Sequence, residues 1–463
     1  MIRRIIRRIL RLPLPPNAKV QRAEPAVIAR ERHGLHREQF SPGSRRVCET
    51  LQQKGYQAYI VGGAVRDLLN GLRPKDFDVA TDATPEEVRR CLKRSRLIGR
   101  RFQIVHAYMG QEIVEITTFR GQPDGKSKTD AHGRVLRDNM FGTQAEDAAR
   151  RDFTVNALYF DPASERILDY HHGFSDLRQK TLRVIGDPKT RYREDPVRML
   201  RAMRLSAKLG LSIEPDARRP IREMASLLEN VPPARLFDET LKILTSGYAA
   251  HCLKALRSEG LHRGILPLLD LALEDPQGEK FIFCALDSTD QRARAGKTTS
   301  PAFLFAALLW HKTTAIWKKK ETEGESSFSA LHLAMEEVLQ AQGEKLAITR
   351  RVAGDIKEIW LLQLRFTQRS GKRPYALLEH PRFRAAHDFL YLRTEADDAP
   401  QELFAWWETF RDADPEERAQ MLVKPAEGGA KKRRRRPRKS AESRAQNAVT
   451  LLPDSRISTP DCS

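Results

Sequence analysis

Residues 59–81, YIVGGAVRDLLNGLRPKDFDVAT, constrain the possible folds more than any other stretch of the chain. The apolar run AYIV has the character of a buried strand, and Gly62 and Gly63 end it. AVRDLLNG then carries helical spacing closed by Gly71. KDFDVAT reads as a second strand, whose alternation puts Asp76 and Asp78 on one face. A strand, a glycine turn, a helix and another strand in this order open a compact α/β unit.

The same stretch has chemical content. Glycines between a strand and a helix let backbone N–H groups approach a phosphate chain, and the helix N-terminus adds a favourable dipole. Gly62 and Gly63 are therefore candidate triphosphate contacts, and Arg66, one turn into the helix, is a candidate charged one. Carboxylates at i and i+2 of a strand lie about 7 Å apart at their Cα atoms and can converge on hard cations such as Mg²⁺. Asp76 and Asp78 become candidate metal ligands and catalytic residues. Taken singly, the glycines are a tight turn and the aspartates a solvated strand end. Their combination in this order points to nucleotide and metal.

Downstream, Thr84, Pro85 and Glu87 form an N-terminal capping signal for a helix through Leu92. FQIVHAYMGQEIVEITTF, residues 102–119, reads as a hairpin turned at Gly110 and Gln111. It carries Glu115 on the face opposite Val114 and Ile116, where a third carboxylate would complete a metal site; an exposed strand glutamate is the alternative. From about residue 190 to 415 the pattern is helical. In REDPVR, residues 193–198, Asp195 and Arg198 are three apart on a predicted helix and so share a face. Such a carboxylate and guanidinium can read an adenine edge, Asp195 accepting from N6 and Arg198 donating to N1. On spacing alone a helix-stabilising salt bridge is the better reading. His171, His172 and the five tryptophans are expected to serve packing.

The formal charge is +20, and it is unevenly spread. Residues 1–20 hold six Arg/Lys and no acid, and residues 424–439 hold nine against one Glu. Surplus charge at chain ends suits a polyanion, either nucleic acid or an anionic membrane surface. The run Lys431, Lys432, Arg433, Arg434, Arg435, Arg436, Arg438 and Lys439 has no apolar face and reads as a disordered RNA-binding tail. Five scattered cysteines form no CxxC pair, which suggests reduced thiols in a cytoplasmic protein. No apolar run approaches the roughly 18 residues of a spanning helix. The arm MIRRIIRRILRLPLPP interleaves Ile and Leu with Arg, so it is a disordered basic arm or a peripheral membrane contact.

VGG-x-VRD followed by a strand with Asp-x-Asp resembles the nucleotidyltransferase head of bacterial poly(A) polymerases and tRNA CCA-adding enzymes. The likeness continues through EITTFR (115–120), RRDFTVNALYFD (150–161) and REDPVRMLRAMRLSAKLG (193–210). LIGRRFQIVH (97–106), PPARLFDETLKIL (232–244) and GKRPYALLEHPRFRAAHDFLYLR (371–393) favour the polymerase branch. The resemblance implies an α/β head with a small mixed sheet and flanking helices, followed by all-α neck, body and tail regions. Expected boundaries are a basic extension 1–44, a head 45–185, a neck with the base-recognition helix 186–250, an RNA-binding body 251–423 and a basic tail 424–463. It assigns Arg151 and Asp152 to nucleotide binding, and Asp76, Asp78 and Glu115 to two Mg²⁺ ions. The implied activity is template-independent addition of AMP from ATP to RNA 3′ ends, with RNA-decay proteins as further partners. A CCA-adding enzyme and a catalytically silent RNA-binding protein are the competing readings.

Overall fold

The computed structural model describes residues 24–99, 103–121, 141–266 and 269–423. The basic run 431–439 and the arm 1–23 lie outside these residues. Among the described residues, eight strands form one mixed sheet: β1 (Ala26–Ile28), β2 (Ala58–Val61), β3 (Asp78–Thr81), β4 (Ser95–Ile98), β5 (Ile104–Met109), β6 (Glu112–Thr118), β7 (Leu158–Asp161) and β8 (Arg166–Asp169). Their order is β1-β8-β7-β2-β3-β6-β5-β4, and β3 pairs with β6 in parallel while the other ladders are antiparallel.

Alternation along the strands gives the sheet two unlike faces. One carries Ala58, Ile60, Val79, Val105, Ile116 and Phe160, buried together with Val47 and Leu51 of α1 (Pro42–Gln53) and Val88 of α3 (Pro85–Cys91). The helix between them, α2, spans Gly63–Leu69. The opposite face is covered only in part. Val61, Ala80 and Tyr159 pack with Phe119, Ile185 and Ala148 of α4 (Gln144–Arg150). Farther along the sheet, Tyr108 and Ile113 of the same face are exposed, as Arg96 is. Asp78 and Glu115 stand where the cover ends.

The segment expected to be an extension contributes to the head through β1 and the residues that follow it. β1 pairs with β8, and Phe40 stacks on Phe160 at 4.1 Å. Ile28, Leu35 and Phe40 are buried; spaced among charges, these anchors leave no periodic pattern to read. The expected extension 1–44 is therefore part of the head at least from Ala26.

Beyond the head the described chain is almost entirely helical. One contiguous apolar core runs from Phe153 in the head to Ala396 and takes in both the expected neck and body. A second, containing Leu362, Phe366, Trp407 and Phe410, lies under the C-terminal helices. Trp310, Trp360 and Trp407 are buried packing residues. Cys48, Cys91, Cys252 and Cys284 are free thiols, and no helix among the described residues is long and apolar enough to cross a membrane.

Candidate active site

β2 runs into Gly62, whose φ of 72° and ψ of −127° turn the chain sharply into α2. A Cβ there would sit 3.3 Å from Arg151 Nη1, so glycine permits both the turn and the close guanidinium. The turn also decides what β3 can be. β2 ends at Val61, opposite Asp78, so residue 76 has no ladder partner on that side. Asp76 consequently lies exposed in the connection before β3, not on the strand as alternation suggested. Only Asp78 of the expected pair is a strand residue.

Asp78 is in register with Glu115 on the parallel neighbour β6, and Glu115 with His106 on β5. Burial raises the Asp78 carboxyl, the nearby charge of Glu115 and that of Asp76 add to it, and Arg151 opposes; the result is pushed up to about 6. The three expected carboxylates thus share one electrostatic neighbourhood. His106 Nε2 lies 3.4 Å from Glu115 Oε1 without hydrogen-bond alignment. A buried acid among like charges suits a divalent cation, since added positive charge relieves the repulsion.

Arg66 lies buried in an ion pair with Asp67. Its Nε donates to Asp67 Oδ1 at 2.8 Å, its Nη1 donates to Asn156, and its side chain is only 8% exposed. Asp67 also accepts from Lys208 Nζ at 2.7 Å. The arginine supports the glycine turn from below, because a carboxylate one residue along claims its fork first.

Arg151 stands beside the Gly62 turn. Its Nη2 donates to Asp147 Oδ2 at 3.1 Å, its Nε to Tyr159 Oη at 3.1 Å, and its Nη1 to the Asn156 carbonyl at 3.3 Å. Asp152 is buried and accepts from Phe153 N and Asn156 Nδ2 at 2.9 and 2.8 Å, with Arg201 Nη2 2.9 Å away. Burial opposes its ionisation, yet Arg201 and these hydrogen bonds hold it below the usual carboxylate range.

Asp195 and Arg198 do not share a helix. Asp195 ends α5 (Pro188–Glu194) with φ −151° and ψ 92°, and α6 (Val197–Leu209) begins after Pro196. Proline removes an N–H and disfavours helical backbone at the residue before it. The two residues meet across that junction, with Arg198 N donating to the Asp195 carbonyl at 3.0 Å. Arg198 Nη1 donates to the Arg191 carbonyl and to Glu194 at 2.7 and 3.0 Å. Asp195 Oδ2 accepts from Arg235 of α7 (Pro233–Leu244) at 2.9 Å, while its Oδ1 is buried without a hydrogen-bond partner.

Four residues that sequence reasoning passed over hold these groups: Asp147, Tyr159, Arg201 and Arg235. Asp147 was accessible as the i,i+4 partner of Arg151. The others come from different elements, and no local spacing signals them.

Comparison with known proteins supplies the remaining context. Residues 58–183 match a family described as poly A polymerase head domain, residues 210–273 one described as probable RNA and SrmB-binding site of polymerase A, and residues 323–440 one described as polymerase A arginine-rich C-terminus. The chain is 43% identical over 442 residues to poly(A) polymerase I of Escherichia coli O6:H1, covering 93% of this chain and 95% of that protein. It is 42% identical to poly(A) polymerase I of Haemophilus influenzae, covering 92% and 100%. A CCA-adding enzyme of Bacillus velezensis is 32% identical over 53% of this chain and 61% of its own length. Among solved structures, a tRNA-processing enzyme aligns with a TM-score of 0.55 at 20% identity, covering 82% and 100% of the two chains.

Proposed function

Since the chain belongs to the bacterial poly(A) polymerase family and is a polynucleotide adenylyltransferase, we propose how its geometry adds AMP from ATP to RNA 3′ ends. The observation that carries the proposal is the register of Asp78 with Glu115, which joins two carboxylates at the border of the covered and open sheet halves. Asp76, Asp78 and Glu115 would hold two Mg²⁺ ions, which when bound lower the pKa of the attacking hydroxyl and offset charge on the leaving pyrophosphate.

The protein's own groups divide the remaining work. The Gly62–Gly63 turn and Arg151 lie on the covered side of Asp78 and receive the triphosphate. Asp195 and Arg198 receive adenine. The buried, unpartnered Asp195 Oδ1 supports this, because an unsatisfied acceptor there gains the N6 amino donor. Asp152 lies beneath the site, fixing Arg201 and the Asn156 loop. In-line displacement needs the RNA 3′-hydroxyl to approach from the side opposite pyrophosphate. The open half of the sheet beyond Glu115, with exposed Tyr108 and Arg96, provides that approach. The hydroxyl attacks the α-phosphate, the bond to pyrophosphate breaks, and the RNA grows by one AMP.

The match at 210–273, across the expected neck and body, supports RNA contact there. The basic run 431–439 adds affinity through counterion release, and the arm 1–23 contributes a second polyanion contact. The deciding experiment incubates purified protein with an oligoribonucleotide, Mg²⁺ and each NTP separately. A long ladder with ATP alone is expected. Addition to tRNA that requires CTP and stops after three residues would overturn the assignment.

A further inference from the structure

Tyr159 is fully buried in β7, yet its hydroxyl belongs to the network around the site. It donates to Asp147 Oδ2 at 2.6 Å and accepts from Arg151 Nε at 3.1 Å. Asp147 Oδ2 also accepts from Arg151 Nη2 at 3.1 Å, its Oδ1 accepts from Arg120 N at 3.3 Å, and the guanidinium carbon lies 5.1 Å from the tyrosine ring centroid. These contacts and the Asn156 carbonyl engage Nε–H and one N–H on each Nη. A guanidinium has five N–H donors, so two are left over by the contacts of the described residues.

Strand register places the tyrosine. Tyr159 pairs with Val61, and Val61 pairs with Asp78, so the three side chains stand on one face of adjacent strands. Tyr159 and Asp78 are thus two strand spacings apart, about 10 Å. Arg151 bridges the interval, anchored at the tyrosine end and close to the Gly62 turn and Asp78 at the other. Arginine carries rotatable bonds that a phosphate site needs frozen. One Asp147 oxygen shared by Nε and Nη2, with the Asn156 carbonyl at 3.3 Å from Nη1, leaves the plane of the fork room to rock. A second acceptor on Nε, rigid because its ring is packed in the core, removes that freedom.

We propose that Tyr159 is a positioning residue for the incoming nucleotide: with Asp147 it fixes the plane of the Arg151 guanidinium beside the Gly62 turn, so that the remaining N–H groups meet the ATP phosphates. Tyr159 itself touches no substrate. The inference rests on the reading of Arg151 as a phosphate contact. Misplacement of such a group by about 1 Å is enough to slow a transfer reaction substantially.

The test is a double-mutant cycle on the full chain. Tyr159→Phe keeps the ring in the core and removes only the hydroxyl. It should lower kcat/KM for ATP about tenfold while leaving KM for an oligoadenylate primer unchanged. Asp147→Asn, made in parallel in case the first variant folds poorly, should produce the same ATP-specific loss. In an Arg151→Lys background, Tyr159→Phe should have no further effect, because a residue acting through Arg151 is silent once the fork is gone. An equal loss in both backgrounds overturns the proposal, as does a lowered melting temperature with unchanged kcat/KM for ATP. If Arg151→Lys alone leaves ATP kinetics intact, the phosphate reading fails and the positioning role falls with it. If Arg151→Lys is impaired but Tyr159→Phe behaves as wild type, only the positioning role is overturned.

Discussion

Either side of the boundary between β2 and β3, the head treats buried charge in opposite ways. On the β7–β2 side three buried carboxylates face cations: Asp147 with Arg151, Asp67 with Arg66 and Lys208, Asp152 with Arg201. On the β3–β6 side Asp78 faces Glu115 and Asp76, and its carboxyl is held near 6. In the first region these ion pairs hold the arginines in place. The second keeps a surplus of negative charge that a bound cation would relieve.

This contrast can be broken from either side. The largest effect is expected from Asp78→Ala, which should cut AMP incorporation on the order of 10³-fold or more while the fold survives; near-normal incorporation at saturating RNA and ATP would sink the assignment. Asp67→Ala attacks the paired side, stranding Arg66 and Lys208. It should cost about 3 kcal/mol in urea unfolding, and an unaltered midpoint would show the pair to be dispensable. Arg198→Ala should raise KM for ATP and reduce discrimination among the four NTPs roughly tenfold. Unchanged selectivity would return Arg198 to a salt bridge with Glu194.

The smallest effect is the most diagnostic of the comparison. The folded-state pKa of Asp78, about 6, lies above the ordinary aspartate value of roughly 3.9. The folded state therefore binds the proton more tightly, and stability falls as pH rises between about 4 and 6. In metal-free protein held with a chelator, Asp78→Asn should be more stable than wild type by about 1 kcal/mol at pH 8, after allowing for solvent screening. The difference should vanish by about pH 4. A pH-independent difference would mean that packing, not charge, distinguishes the two.

Much of this was legible in the chain. The strand–glycine–helix opening, the capping box at Thr84 and Glu87, and the Gly110 hairpin appear where local rules put them. Asp78 and Glu115 could be placed because each lies on a strand with a periodic pattern, and the Gly62 turn because two glycines end an apolar run. Errors gathered at element ends. Asp76 was assigned to a strand that begins two residues later, and Asp195 to a helix that Pro196 interrupts.

Sequence by itself thus determined the elements and the chemical inventory, because backbone propensity and side-chain period act over a few residues. Tertiary structure decided the partnerships. Two guanidiniums meet at the glycine turn: Arg66, one turn into the helix and paired with its neighbour Asp67, and Arg151, nearly ninety positions downstream and paired with Asp147. Register between β7, β2, β3 and β6 brings Tyr159, Val61, Asp78 and Glu115 onto one face. Which cation meets which carboxylate depends on that register, and register is set by burying one sheet face against α1 and α3, not by spacing along the chain.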